Sequence, residues 1–167
     1  FRMGAVFGLV SIVLVLATGD QHAVEVAKTQ PAKFAAMEAV WETRRGAGIN
    51  IVVIPDAPNE RNLVEKMFIP KLLSYMAFHT PEGEVKGLRD FPREDRPPVA
   101  PVFFSFRAMV GMGFLLFILA LCAAIAALRG TIGRNRFLLR MLLYAIPIPY
   151  IANQLGWIVA EMGRQPW

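Results

Sequence analysis

Three long apolar runs divide the chain, and each of them predicts a membrane-spanning helix. They occupy residues 1–19, 101–128 and 137–162. A helix needs about 20 mostly apolar residues to cross the hydrocarbon core of a bilayer. Because the first run opens with the chain, it is expected to be a span truncated at its start. Pro147 and Pro149 are expected to kink the third helix.

A polar connector, residues 20–100, joins the first two runs. An amphipathic helix is predicted over residues 31–42, where good helix formers follow a proline that suits the first helical position. The β-branched residues 49–54 predict a short extended segment. Residues 63–78 are expected to form a second surface helix, interrupted at Pro70.

The composition places the chain among membrane proteins. It is 55% hydrophobic and only 19% charged, with a mean hydropathy of +0.43, which is too apolar for an ordinary soluble domain. The predicted fold class is therefore all-α: a fragment of a polytopic transmembrane helical bundle, with three membrane spans and one long extracytoplasmic loop. Cys122 is the one cysteine, which excludes a disulfide framework and a motif for covalent haem attachment.

The distribution of charge predicts the orientation and argues against nucleic-acid binding. The net charge is +5, but the connector itself is nearly balanced. The basic excess lies in a turn at residues 129–136 and just beyond it, at Arg129, Arg134, Arg136 and Arg140. Short loops rich in arginine stay in the cytoplasm. The turn is therefore expected to be cytoplasmic, in agreement with Arg2, and residues 20–100 are expected to be extracytoplasmic.

Arg107 and Met109 stand out near the outer end of the second span. A buried arginine in a membrane helix either has an anionic partner or reaches the interface. A methionine there serves either in packing or as an axial ligand to haem iron. The residues alone leave these alternatives open.

Glu161 and Arg164 lie near the outer end of the third span. Their spacing predicts an i,i+3 ion pair, but a carboxylate in an apolar helix also ligates metals or carries protons. Asp20 and His22, at the outer end of the first span, are expected to be interface residues.

Lys33 and Glu38 are five positions apart in the predicted connector helix. On an ideal helix this separation turns the second residue by about 140° around the axis. They are therefore not expected to form a simple salt bridge on one face, and a shared ligand would have to approach the helix end.

Four stretches together resemble subunit I of cytochrome bd-type quinol oxidases. They are GDQH from Gly19, KFAAMEAVWET from Lys33, PPVAPVFFSFRAMV from Pro97 and GWIVAEMGRQPW from Gly156. The resemblance extends over the whole chain, and the connector is similar to the family's short Q-loop, where quinol is oxidised. It implies a multi-pass protein of a bacterial or archaeal plasma membrane. Residues 163–167 match the family's GRQPW signature.

The resemblance also implies roles for five residues. Lys33 and Glu38 match a lysine and a glutamate that act in quinol oxidation. Met109 matches the methionine ligand of the low-spin haem b, and Arg107 matches the arginine near that haem. Glu161 matches the glutamate that ligates the high-spin haem b. The family's histidine ligands lie on earlier helices, and neither His22 nor His79 is placed to replace them.

The implied function is that of a quinol:oxygen oxidoreductase in aerobic respiration. Ubiquinol or menaquinol would be oxidised at the outer face, and electrons would pass through the b-type haems to haem d, where oxygen is reduced to water. The implied partners are a second oxidase subunit, subunit II, and the lipid bilayer. The fragment alone is expected to be inactive.

Two other functions are compatible with the residues. One is a fragment of a proton-coupled transporter or channel, in which Glu161 and Asp20 would relay protons. The other is a non-catalytic assembly subunit whose connector binds a partner. A haem spectrum of the full-length protein would separate the transporter from the oxidase. Substitution of Lys33 and Glu38 would test the assembly hypothesis.

Overall fold

The computed structural model describes residues 1–166 and is mainly helical. Within this part of the chain, three helical stretches are long and apolar enough to cross a membrane: Arg2–Thr29, Arg93–Leu128 and Arg136–Met162. They coincide with the three predicted spans, so the predicted helical membrane fold with three spans is confirmed. Many of their apolar side chains, such as Phe7 and Phe137, are exposed and suited to contact with lipid or with further helices.

Six α-helices and two small antiparallel sheets make up the regular structure. The helices are α1 (Arg2–Thr29), α2 (Pro31–Glu38), α3 (Leu72–Phe78), α4 (Val99–Leu128), α5 (Arg136–Tyr144) and α6 (Ile148–Met162). The strands are β1 (Arg44–Arg45), β2 (Ile49–Asp56), β3 (Arg61–Ile69) and β4 (Glu84–Val85). Strand β1 pairs with β4, and β2 pairs with β3.

The first and third spans differ in detail from the sequence expectation. Helix α1 does not stop at Gly19 but continues without a break to Thr29, so the GDQH motif is helical. The third span is two helices, α5 and α6, separated at residues 145–147. This break lies where Pro147 and Pro149 were expected to kink the span, because proline removes a backbone donor and obstructs the preceding turn.

Helix α2 ends at Glu38, four residues before the predicted end at residue 42. Ala39 adopts a left-handed conformation, and its N–H donates to the Ala36 carbonyl while the Val40 N–H donates to the Ala35 carbonyl. This is the Schellman pattern of helix termination. The chain then turns so that the carbonyls of Val40 and Trp41 accept hydrogen bonds from Leu88 and Arg89. Burial of Trp41 favours this turn over another helical turn.

The connector contains a β-hairpin, residues 49–69, made of β2 and β3. The extended segment predicted at residues 49–54 is confirmed. The helix predicted over residues 63–78 is wrong for its first part, which is strand β3, and right for residues 72–78, which form α3. Residues 61–69 pair along β2, and that pairing outweighs their helix propensity.

The chain divides into two compact units. One unit comprises residues 1–19 and 108–156, and its core includes Leu119, Ala126, Leu138 and Ala145. The other, the connector unit, comprises residues 20–107 and the chain from Trp157 onward. It has two apolar clusters, and the larger surrounds α2 and includes Trp41, Val53, Phe103 and Val159.

Candidate functional site

The connector unit holds a buried ion pair between Glu38 and Arg107. Arg107 Nη2 donates to Glu38 Oε2 at 2.6 Å. The Glu38 side chain is 6% exposed and that of Arg107 is 22% exposed, so the pair is largely shielded from water. The anionic partner that a membrane-helix arginine requires is therefore supplied, within this chain, by the last residue of α2.

The environment of Glu38 makes it a group that changes charge near neutral pH. Burial raises its pKa from 4.5 to about 7, although the Arg107 guanidinium beside it acts in the opposite direction. The burial comes from neighbours in the larger apolar cluster, such as Ala35, Met37 and Phe103. Glu38 is thus poised to accept a proton at one pH and release it at a slightly higher one.

Arg107 makes two further contacts that fix its position, and one of its donors has no partner within residues 1–166. Its Nη1 donates to the backbone carbonyl of Ile51 in β2 at 3.4 Å. Its guanidinium carbon lies 5.2 Å from the centre of the Phe103 ring. Among the described residues, the Arg107 Nε has no hydrogen-bond partner although it is buried. One donor of this guanidinium therefore remains available for an acceptor.

Lys33 contacts a different part of the same unit. Its side chain crosses Gly163, and its Nζ lies 3.4 Å from the backbone carbonyl oxygen of Ala160, in the last turn of α6. A cation at the end of a helix is stabilised by the partial negative charge there. Burial lowers the pKa of Lys33, and the Arg164 charge lowers it further, whereas Glu161 raises it.

Lys33 and Glu38 thus face different neighbours, as the angle of about 140° between them predicts. Glu38 is directed to α4, and Lys33 is directed to the end of α6. The two residues proposed to act on quinol do not form a pair with each other.

Sequence reasoning missed Asn62, which links the hairpin to the segment after α2. Its Oδ1 accepts a hydrogen bond from Trp41 Nε1 at 2.9 Å. Its Nδ2 donates to the Ala39 carbonyl at 3.1 Å and to Glu65 Oε1 at 2.6 Å. A buried tryptophan requires a partner for its N–H, and this was the only signal in the sequence that pointed to such a residue.

A cavity of about 330 Å³ lies in the connector unit beside Glu38. The residues that line it include Glu38, Trp41, Asn62, Phe68 and the charged residue Arg89. This volume is at the lower end of the range for small-molecule sites. The cavity therefore brings aromatic surface, hydrogen-bonding groups and a titrating carboxyl together.

The hairpin turn is held by a cluster of charges. Glu60 Oε1 accepts hydrogen bonds from Arg93 Nε at 2.7 Å and from Arg96 Nη1 at 2.9 Å. Arg89 donates to the Glu60 backbone carbonyl at 3.0 Å. The hydrogen bond from Arg96 and those from the other arginines hold the pKa of Glu60 below its usual range. Elsewhere, Asp20 lies 3.2 Å from His79, an exposed contact that supports its expected interface position.

Met109 belongs to the unit formed by residues 1–19 and 108–156. Its side chain is half-buried, and its sulfur lies against Gly156 of α6, where an added Cβ would come within 2.9 Å of it. The absence of a side chain at position 156 therefore leaves the space that the thioether occupies.

Glu161 and Arg164 do not form the ion pair that their spacing suggested. Within the part of the chain that the structure describes, no ion pair includes Glu161, and the contact between the two residues is a backbone hydrogen bond at 3.3 Å. Trp167, the last residue of the GRQPW stretch, lies outside the described residues. No group of three or more metal-ligating side chains occurs within residues 1–166.

The fold and the site define a helical membrane protein with three spans and a buried ion pair between its polar connector and the second span. The family model for cytochrome bd terminal oxidase subunit I matches residues 1–167. The chain belongs to this family. It is therefore related to oxidoreductases of respiratory electron transport, and the match favours that class over a transporter or channel.

Individual relatives and a solved structure agree with the family match. The chain is 33% identical to cytochrome bd-II ubiquinol oxidase subunit 1 of Escherichia coli (strain K12), with coverage of 100% of this chain and 45% of that protein. It is also 33% identical to cytochrome bd ubiquinol oxidase subunit 1 of Bacillus subtilis (strain 168), covering 100% of this chain and 38% of that protein.

The similar structure is that of the bd oxidase from Geobacillus thermodenitrificans. The TM-score is 0.83 at 29% identity, and the similarity covers 95% of this chain and 36% of that one. The chain thus spans less than half the length of the relatives it matches.

Proposed function

We propose that this chain is part of the haem-bearing subunit of a bacterial respiratory oxidase and that its connector oxidises quinol at the outer face of the membrane. Residues 20–100 are then extracytoplasmic. Electrons from quinol pass by way of b-type haems to haem d, where oxygen is reduced to water. The other participants are subunit II and a quinol, ubiquinol or menaquinol.

The observation that carries this proposal is the buried Glu38 carboxyl beside a cavity. Oxidation of a quinol to a quinone removes two electrons and two protons, so a quinol site needs a group that accepts protons near neutral pH. Glu38 has a pKa of about 7, lines the cavity and is held in position by Arg107. A base of this pKa has a large ionised fraction and is still a useful proton acceptor.

The chain's own residues define the proton-transfer step. A quinol hydroxyl in the cavity donates its proton to the Glu38 carboxylate, and the Arg107 guanidinium stabilises that carboxylate before the transfer. Trp41 and Phe68 provide aromatic surface for the quinol ring. Lys33 is the second residue that we propose to act in quinol oxidation, and its Nζ lies 3.4 Å from the Ala160 carbonyl oxygen at the end of α6.

Three residues fit the haem groups that the family implies. The buried Nε of Arg107 has no hydrogen-bond partner among the described residues, so it is available to donate to a haem propionate. The Met109 thioether and the Glu161 carboxyl are the ligands we propose for the low-spin haem b and the high-spin haem b. When bound, these groups supply the electron acceptors and the iron at which oxygen is reduced.

Substitution of Glu38 in the full-length oxidase tests this proposal. We expect Glu38→Gln to lower the rate of quinol oxidation by about 100-fold or more, because general base catalysis contributes at least this much. Haem content should be unchanged, because Glu38 is not among the proposed ligands. The measurement is oxygen consumption with quinol, together with the reduced-minus-oxidised spectrum.

Glu25→Gln is the matched control, because Glu25 is exposed on α1 in the same unit. This control should oxidise quinol at the wild-type rate. Reduction of the enzyme by dithionite should be equally complete in both variants. Quinol oxidation at the wild-type rate in Glu38→Gln, with the haems in place, would refute the proposal and support an assembly role for the connector.

A further inference from the structure

We propose that Asn62 is a positioning residue that fastens the hairpin, residues 49–69, over the Glu38–Arg107 pair. This inference rests on the proposed function, because it assigns Asn62 a part in the proton transfer from quinol. Asn62 itself touches neither Glu38 nor Arg107 in the hydrogen bonds described above. It acts by holding the element that covers them.

The hairpin reaches the ion pair directly at one point. The Ile51 carbonyl of β2 accepts the hydrogen bond from Arg107 Nη1 at 3.4 Å. Val53, two residues further along β2, is buried in the apolar cluster that also contains Ala35, Ala36 and Trp41. Strand β2 therefore covers the end of α2, where Glu38 lies.

Apart from its pairing with β3, strand β2 is anchored by two apolar side chains: Val53 lies in the larger apolar cluster and Ile49 packs against the second. Isolated two-stranded hairpins are marginally stable in water. Much of the hairpin's apolar surface is exposed, including Leu63, Met67 and Phe68. The hairpin therefore depends on specific polar contacts to remain in place over Glu38.

Asn62 provides the contacts that are suited to this task. In the register of the hairpin, Asn62 lies opposite Pro55, next to the irregularity between Ile54 and Pro55. Its amide forms three hydrogen bonds, and two of them, with Trp41 and Ala39, join the hairpin to the segment that follows Glu38. The third, with Glu65, remains within β3. The three hydrogen bonds use both N–H donors of the amide and one acceptor position of its oxygen.

The second attachment of the hairpin is of a different kind. Glu60 at the turn is held by Arg89, Arg93 and Arg96, and Arg93 is 79% exposed. Exposed ion pairs contribute little and are screened by salt. The Arg96–Glu60 pair is better shielded, at 14% and 18% exposed, but it lies at the turn. Asn62 bonds to the segment directly after Glu38 and pairs with a buried tryptophan, so it is the attachment expected to decide whether water reaches Glu38.

Several charged residues line the cavity together with Glu38, namely Glu42, Arg44, Arg45, Glu60, Arg61, Glu65 and Arg89. Arg107 of α4 is the charged side chain that acts on Glu38. Lys33, on the same helix, is directed to α6, and Arg89 is engaged by Glu42 and Glu60. If the hairpin leaves, water replaces the apolar cover while Arg107 remains, and the pKa of Glu38 must fall.

The test uses the full-length oxidase with Asn62→Ala and measures quinol oxidation against pH. At pH 6, a carboxyl with a pKa of about 7 is ~10% ionised, and any fall of the pKa raises this fraction towards full ionisation. We therefore expect the rate at pH 6, relative to the rate at pH 8.5 in the same variant, to rise by up to about tenfold, the limit set by full ionisation. The acidic limb of the profile moves to lower pH.

Two further variants keep the test decisive. Trp41→Phe removes the indole N–H that donates to Asn62, together with part of the aromatic surface. It should shift the profile in the same direction by a smaller amount even if Asn62→Ala fails to fold. Asn59→Ala is the matched control, because Asn59 is an exposed asparagine of the same hairpin turn whose amide contacts Asp56. Its profile should superimpose on that of the wild type.

An independent measurement separates failure of this inference from failure of the proposed function. Infrared titration of the Glu38 carboxyl, assigned by its loss in Glu38→Gln, reports the pKa without any need for quinol turnover. An unchanged titration in both Asn62→Ala and Trp41→Phe would overturn the role of Asn62 and leave the quinol site intact. A shifted titration with undiminished quinol oxidation in Glu38→Gln would support the Asn62 contacts and overturn the proposed function.

Discussion

At the scale of single residues, two candidate site residues, Glu38 and Arg107, form one buried ion pair. Each was identified separately in the sequence, one in the connector and one in a span. The structure joins them at 2.6 Å and buries the carboxylate. A buried pair of this kind costs desolvation energy that its attraction offsets only in part. Its retention is better explained by a proton-accepting role than by stability.

The raised pKa of Glu38 predicts a pH dependence of stability. The folded protein retains the Glu38 proton up to about pH 7, whereas the unfolded chain loses it near pH 4.5. The folded state therefore binds more protons across this window, and the free energy of unfolding falls as the pH rises from 4.5 to 7. Above that window the loss is complete.

We expect this contribution to disappear in Glu38→Gln. The measurement is the difference in thermal unfolding temperature between wild type and Glu38→Gln, followed from pH 5 to pH 8 in the full-length protein in detergent. The wild type should lose stability relative to the variant as the pH rises. Glu25→Gln should follow the wild type, and parallel curves for wild type and Glu38→Gln would contradict the prediction.

At the scale of elements, the two ends of helix α2 contact different neighbours. The end of α2 at Glu38 meets α4 and the hairpin, and the first turn of α2 places Lys33 over the end of α6. Gly163 makes the second contact possible, because an added Cβ there would lie 2.9 Å from both Lys33 Cγ and Lys33 Cε. Helix α2 is thereby attached to the helix that carries Glu161.

Gly163→Ala tests this packing. The added methyl group should meet the Val159 carbonyl oxygen, 2.5 Å away, and should also force the Lys33 side chain away from α6. We expect it to lower the free energy of unfolding by about 1–3 kcal/mol, as overpacking does. Gly133→Ala is the control, because an added Cβ at Gly133 meets no atom within 4 Å. The measurement is thermal unfolding of the full-length protein.

The double variant Lys33→Ala/Gly163→Ala shows whether Lys33 is the group displaced. Part of the loss from Gly163→Ala should be recovered in this variant, because the side chain that the new methyl group meets is gone. Strictly additive losses would show that the two residues do not interact.

At the scale of the whole molecule, the proposed orientation places the connector outside and the arginine-rich turn inside. Arg129, Arg134, Arg136 and Arg140 are all exposed and participate in no ion pair among the described residues. Unpaired cations next to a span favour the cytoplasmic side. The proposed oxidation of quinol at the outer face depends on this orientation.

Cysteine labelling of the full-length protein in intact cells tests the orientation. In a background without other accessible cysteines, Asn59→Cys at the exposed hairpin turn should react with a membrane-impermeant maleimide. Gly133→Cys in the basic turn should react only after the membrane is permeabilised. Labelling of Gly133→Cys in intact cells would reverse the proposed topology.

The sequence by itself determined the three spans, the polar connector and the family. Apolar runs of this length have few alternatives to membrane helices, because backbone groups in lipid must be satisfied within the segment. The four motifs around Asp20, Lys33, Arg107 and Glu161 were also visible as residues. The angle between Lys33 and Glu38 followed from helical geometry and agrees with their separate neighbours.

Only the tertiary structure decided which distant residues are in contact. The end of α2 at Glu38, the hairpin over residues 61–69 and the hydrogen bonds of Asn62 all depend on partners distant in the chain. Local propensity does not encode such contacts, because burial of Trp41 and pairing along β2 outweigh the preference of single residues. For the same reason, the raised pKa of Glu38 is a property of the folded connector and could not be predicted from the neighbours of Glu38 in sequence.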